Sequence, residues 1–280
     1  MRSLLLTGPS PERPGGVATA VRQLLEWLPE SPWDDWSFFA TDKEGSALPG
    51  PIARLTSGVD VASSLRETLA ERQPQLLHVS CGSDSSGWGL REGLLHAELG
   101  RRVGAAVLLH LHASALEELL SPFSRESRLF LKGLKRVSAI AAPAQESLDL
   151  LENRGLPPER LFHIPNCVPV ADWQPPVAST TDKLRLCFVG SIESRKGIPV
   201  LLEALQHVNN EVQRVEVLAF GPQACPDEVY ASWKARGKTL GLRLMGPLPP
   251  SDIEEVIRDS DGLVLPSLAE CQPFALLEAM

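Results

Sequence analysis

The sequence predicts an α/β protein built from two doubly wound halves. Short apolar runs rich in Val, Leu and Ile recur without polar alternation, which is how strands covered on both faces read. Amphipathic stretches stand between them, so strand and helix alternate and the sheets are parallel. One compositional break, ADWQPPVASTTDK at 171–183, joins a Pro-Pro pair to small polar residues, and a fresh strand, LRLCFVG, follows it. The resulting plan is a first domain over 1–172, a linker over 173–183 and a second domain over 184–280.

The expected strands are 4–7, 76–80, 106–112, 139–142, 184–189, 215–220, 242–245 and 262–265. The first is LLLT. It is too short for the apolar core of a signal peptide and reads as a buried strand. The expected helices are 17–28, 61–71, 114–120, 122–137, 144–154, 199–208, 228–238 and 251–258. Their starts carry local signals. Gly15-Gly16 precedes the first, Ser121-Pro122 reads as N-cap and first helical residue of the fourth, and Pro199 suits the first turn of the sixth.

Composition narrows the function. The net charge of -8 disfavours nucleic acid, whose binders need a cationic surface to displace counterions. Five scattered cysteines without a CxxC fit a reducing cytoplasm and neither a disulfide framework nor a zinc site. No apolar run reaches membrane-spanning length. Arg125, Arg128, Lys132, Lys135 and Arg136 recur at mostly helical spacing over 121–137, with Phe130, Leu134 and Val137 on another side. Such a helix is a solvated face or a peripheral contact with an anionic membrane.

Four stretches carry candidate chemistry. Gly15-Gly16 lets a ligand approach the backbone where helix N–H groups are unpaired; neither GxGxxG nor GxxxxGK[ST] is present. LLHLHAS puts His110 and His112 on one face at a strand end, and His78 ends another strand. A metal there needs further ligands, so His112 alone is the candidate. GSIESRKGIPVLLEAL places Arg195 and Lys196 beside the positive end of a helix, a good place for a diphosphate. Asp259-Ser260-Asp261 matches DxD, but it lies where a helix ends and a strand begins and reads as solvated.

The fourth stretch is LPSLAECQPFALLEAM. Glu270 and Glu278 would be about 12 Å apart along a helix. Hydrolytic carboxylate pairs stand about 5–9.5 Å apart, so these two suit gripping two ends of an elongated ligand. Pro273 starts the helix at Phe274, and backbone N–H groups around Gln272 and Phe274 are placed to meet phosphate or sugar oxygens.

Taken in order, the strand–GGV–helix start, LHLHAS, LFHIPNCV, FVGSIESRKGIPVLLEAL, LAFGP and LPSLAECQPFALLEAM resemble the retaining GT-B glycosyltransferases of family 4. The resemblance implies two Rossmann-like domains, a nucleotide-sugar donor held by the second, an unidentified glycan, lipid or small-molecule acceptor at the first, retention of configuration, and no metal or other cofactor. It implies that Gly16 lies by the phosphates and acceptor and that His112 faces the reacting sugar. Lys196 would neutralise the diphosphate with Arg195 near it, Glu270 hold the sugar hydroxyls, and Glu278 the ribose. Ser191 stands where many members carry arginine, and Asn166-Cys167-Val168-Pro169 replaces the usual Asn-Gly-Val-Asp turn. Members continue past Glu-Ala-Met, so the second domain is expected to be incomplete. The alternative expectation is a non-catalytic nucleotide-sugar-binding module or half of a split enzyme.

Overall fold

The computed structural model describes residues 2–42, 50–83, 86–169, 183–209 and 215–280, which form two compact units, Met1–Asn166 and Cys167–Met280. Except for Lys183, the expected linker 173–183 lies outside the described residues.

The first unit is a parallel sheet in the order β2-β1-β3-β4-β5-β6. Its elements run β1 (Ser3–Gly8), α1 (Gly16–Trp27), β2 (Asp35–Ala40), α2 (Gly50–Arg72), β3 (Leu76–Ser83), α3 (Trp88–Arg102), β4 (Ala106–Ala113), α4 (Leu116–Leu119), α5 (Arg125–Leu134), β5 (Ala139–Ala142), α6 (Gln145–Asn153) and β6 (Leu161–His163). The side-chain period of two divides each strand between two faces. Leu5, Leu77, Val79, Leu109, Leu111 and Ile140 join Leu65, Leu90, Phe130 and Leu151 in the main core. Leu4 and Leu6 turn to the other face and pack with Leu28, near Leu24 and Trp36. The register Leu6↔His78 and His78↔Leu108 puts His78, His110 and His112 on that second face.

Several elements depart from expectation. Helix α3 was not anticipated, because Gly89, Gly93 and Gly100 each cost a helix about 1 kcal/mol relative to alanine. The structure shows what the latter two are for: a Cβ on Gly93 would lie 2.7 Å from the Cys81 sulfur, and one on Gly100 2.4 Å from Leu77, so α3 approaches β3 closely. Strands β2 and β6 were also missed. The first is a half-buried aromatic edge, DWSFFA, and the second has three residues. Helix α5 starts later than expected. Its N-cap is Ser124, whose hydroxyl accepts from the Glu126 and Ser127 amides, and not Ser121.

The second unit is a parallel sheet in the order β10-β7-β8-β9. It runs β7 (Leu184–Val189), α7 (Ile198–Val208), β8 (Val215–Phe220), α8 (Asp227–Leu240), β9 (Leu242–Gly246), α9 (Ile253–Arg258), β10 (Gly262–Leu263) and α10 (Phe274–Ala279). Ile198, Leu201, Leu202 and Leu205 follow helical spacing and pack on Phe188, Val217, Ala219 and Leu242. Among the described residues no helix is long and apolar enough to cross a membrane.

Candidate functional site

In the second unit, the loop from β7 to α7 meets the segment that follows β10. Lys196 closes a 3-10 turn over 194–196, and Gly197 then takes a left-handed φ of 79° to start α7. A Cβ on Gly197 would sit 2.0 Å from the Pro266 carbonyl oxygen, so the two segments touch where only glycine fits. The Leu268 amide donates to the Arg195 carbonyl at 2.8 Å. One step further along, Lys196 Nζ donates to Glu270 Oε1 at 2.5 Å. The side chains of this pair are 16% and 20% exposed, so the charges are largely withdrawn from water.

Arg195 makes separate contacts. Its Nη1 donates to the Ala269 carbonyl at 3.0 Å and its Nη2 to Glu193 Oε1 at 2.8 Å. Ser191 Oγ donates to that same Glu193 oxygen at 2.7 Å. Phe274, the first residue of α10, is buried and anchors the helix, while Glu278 lies in the same short helix and Gln272 just before it, both half-buried. The fold thus brings two contact sets to one seam, Ser191–Glu193–Arg195 and Lys196–Glu270, with Glu278 carried one helical turn past Phe274. Asp261 of the DxD stretch plays a structural part. Its carboxylate accepts from the Arg185 amide at 2.7 Å, fixing the start of β10 against β7.

In the first unit, Gly16 is exposed at the first position of α1. The next residue, Val17, packs on Gly82, whose partner in the β3–β4 register is His112. His112 does not stand alone. Its ring centroid is 4.2 Å from that of His110, which is 5.5 Å from that of His78. Both ring nitrogens of His110 and Nε2 of His78 and of His112 are buried without a hydrogen-bond partner. Burial pushes His110 down to about 4. It pushes His78 to about 3, helped by the charge of His110. His112 falls well below the ordinary imidazole value, first from burial and then from His110 and His78. The row is therefore neutral at pH 7. Among the described residues, no group of three His, Cys, Asp or Glu side chains could hold a metal ion.

Two features of these sites are not in the sequence reading, a residue and a pairing. Glu193 is one: its carboxylate takes both the Ser191 hydroxyl and the Arg195 guanidinium because the extended backbone at Glu193 gives way to the 3-10 turn that carries Arg195, a change of conformation no residue pattern announces. The contact of His78 with His110 needs β3 beside β4, which spacing along the chain does not reveal.

Comparison with known proteins agrees with this architecture. The profile of Glycosyltransferase Family 4 matches residues 14–172, and that of Glycosyl transferases group 1 matches residues 183–280. No curated protein matches the chain. Among solved structures, the lipopolysaccharide outer core galactosyltransferase WaaB is similar at 14% identity and a TM-score of 0.63, over 100% of this chain and 78% of that one. Anabaena HepE in complex with UDP-glucose is similar at 17% identity and a TM-score of 0.63, again over 100% and 78%. Sucrose-phosphate synthase from Thermosynechococcus elongatus is similar at 14% identity and a TM-score of 0.71, over 100% and 79%. These likenesses show the GT-B fold of two Rossmann-like parallel sheets. The family match spans more than half of the residues, and the chain belongs to glycosyltransferase family 4.

Proposed function

We propose that the protein moves a sugar from a nucleotide-sugar donor to a glycan, lipid or small-molecule acceptor, with retention of configuration and without a metal or other cofactor, in the assembly of a glycan, glycolipid or polysaccharide. The observation that carries this reading is the Lys196–Glu270 pair at 2.5 Å. A nucleotide-sugar presents an anionic diphosphate and a ring of hydroxyls on either side of one bond. A cation and a carboxylate held side by side match those two groups. As the bond to the anomeric carbon breaks, negative charge grows on the leaving diphosphate, and a fixed ammonium there lowers the barrier. Glu270 accepts hydrogen bonds from the sugar hydroxyls. Glu278 is assigned to the ribose, and Ser191, Gln272 and Phe274 to the wall of the donor site. Gly16 is assigned to the donor phosphates and acceptor, and His112 to the reacting sugar. HepE is described with UDP-glucose, so UDP-glucose is the donor to test first. Nuclear magnetic resonance of the product should show the donor's anomeric configuration preserved; an inverted product sinks the retention assignment. Donor binding without transfer to any acceptor would favour the non-catalytic binding module.

The second part of the proposal places the protein at the cytoplasmic face of a membrane through 121–137. Phe123 is 94% and Leu129 68% exposed on this stretch. Arg125, Arg128, Lys132 and Lys135 stand around them with no ion pair among the described residues, in a chain whose net charge is -8. A groove of about 420 Å³ between α3 and α5, lined by Leu94, Leu129, Lys132 and Arg136, adjoins them. Each cation near an anionic bilayer contributes about 1 kcal/mol, so the double variant Lys132→Glu/Lys135→Glu should bind phosphatidylglycerol vesicles at least about tenfold more weakly. Equal sedimentation with phosphatidylcholine and phosphatidylglycerol vesicles overturns the placement.

A further inference from the structure

The sequence suggests two cations for the donor diphosphate, Arg195 and Lys196. The structure divides their work. We infer that Arg195 is a positioning residue, a brace that fixes the segment carrying Glu270, with Glu193 as its counter-ion. The role of Glu270 toward the sugar rests on the donor reading above; the brace itself does not.

Arg195 holds the segment after β10 twice, once by each part of the residue. Its main-chain carbonyl accepts from the Leu268 amide at 2.8 Å. Its Nη1 donates to the Ala269 carbonyl at 3.0 Å. These two contacts fall on the two residues directly before Glu270, so the direction in which Glu270 leaves the chain is set by Arg195. The other end of the fork is turned to Glu193. Nη2 donates to Glu193 Oε1 at 2.8 Å, and Nε is buried without a partner. Glu193 is in turn fixed by the Ser191 hydroxyl at 2.7 Å. The Arg195 charge is already met by that carboxylate and by the Ala269 carbonyl, whereas the Lys196 ammonium projects to Glu270. Gly197 extends the same seam, with its Cα packed under the Pro266 carbonyl. A planar fork suits this role because it reaches a carboxylate and a carbonyl at once. A lysine ammonium in its place keeps the charge and loses the fork.

The charge-conserving Arg195→Lys separates a brace from a phosphate ligand, and Arg195→Gln checks it. Amide hydrogen exchange read by mass spectrometry reports the brace without any donor. In both variants the peptide covering 266–273 should exchange about tenfold faster than in the parent protein, with α7 unchanged. Equal exchange in that peptide overturns the brace. Calorimetry with UDP as probe then tests the division of labour. Arg195→Lys should bind UDP within about threefold of the parent, while UDP-glucose loses about tenfold because Glu270 is no longer held. A loss of UDP affinity as large as that of Lys196→Ala shows Arg195 on the diphosphate and overturns the inference. A Lys196→Ala protein that binds UDP as well as the parent defeats the donor reading instead, and leaves the exchange result standing.

Discussion

Lys196→Ala should lower kcat/KM for the donor by about 10²–10³-fold, the usual loss when one fixed group facing developing transition-state charge is removed. The pair at 2.5 Å explains why so short a truncation reaches so far. Removing the ammonium takes away the cation proposed for the diphosphate and also strands Glu270, whose side chain is 20% exposed, without its partner. The stranded carboxylate costs stability between that of a surface and a buried ion pair, about 1–3 kcal/mol, so the variant should still fold. Glu270→Ala should fall nearly as far in turnover. Glu270→Gln keeps an acceptor oxygen and the side-chain volume and isolates the charge. Because the two residues act as a unit, the double variant should lie within about tenfold of the worse single one. Steady-state kinetics with UDP-glucose, with calorimetry for UDP, measures all four. If both single alanine variants turn over within about threefold of the parent, the donor site lies elsewhere.

How far this site could be read in advance follows from how each contact is encoded. The β7-to-α7 turn was legible because a strand, two cations, a glycine and Pro199 stand in one short stretch, each with a local reason to be there. The start of α10 at Phe274 was legible because Pro273 cannot continue a helix backward. The joining of Lys196 to Glu270 was not legible, since 74 residues separate them and only the sheet order β10-β7 brings their loops together. The competition for Arg195 was half legible: Glu193 lies two residues away, but its preference for Arg195 over solvent depends on Ala269 from the far segment. In the first unit, the apolar strands were read from composition, whereas α3 was lost because its glycines oppose helix locally and are justified only by contact with β3. Propensity is a local quantity, and close packing between elements overrode it there.

Lowering the pH from 6.5 toward 4 should unfold the first unit well before the second. In the unfolded chain each imidazole takes a proton near pH 6.5. In the folded first unit His78 does so only near about 3, and His96 and His110 near about 4, with burial the leading cause in each. Between those limits the unfolded state binds more protons than the folded state, so stability falls as pH falls. Above pH 6.5 both states are neutral and the effect vanishes. Each group contributes up to about 1.4 kcal/mol per pH unit once the unfolded imidazole is protonated, so three groups lower stability by about 5 kcal/mol between pH 6.5 and 5. That is comparable with the whole folding free energy of an ordinary domain, about 5–15 kcal/mol. The second unit contains a single histidine, His207, exposed on α7, and lacks this liability. Urea unfolding followed at a series of pH values should show the first unit's midpoint dropping steeply while the second unit's holds. In His78→Leu/His110→Leu two titrating groups are gone, and the slope should flatten by about 2.7 kcal/mol per pH unit. A flat profile in the parent protein between pH 6.5 and 4.5 would mean that the row is charged or wet. In the role proposed for it, His112 would then act as a cation, whereas a buried neutral row leaves it only a ring N–H or a lone pair to offer.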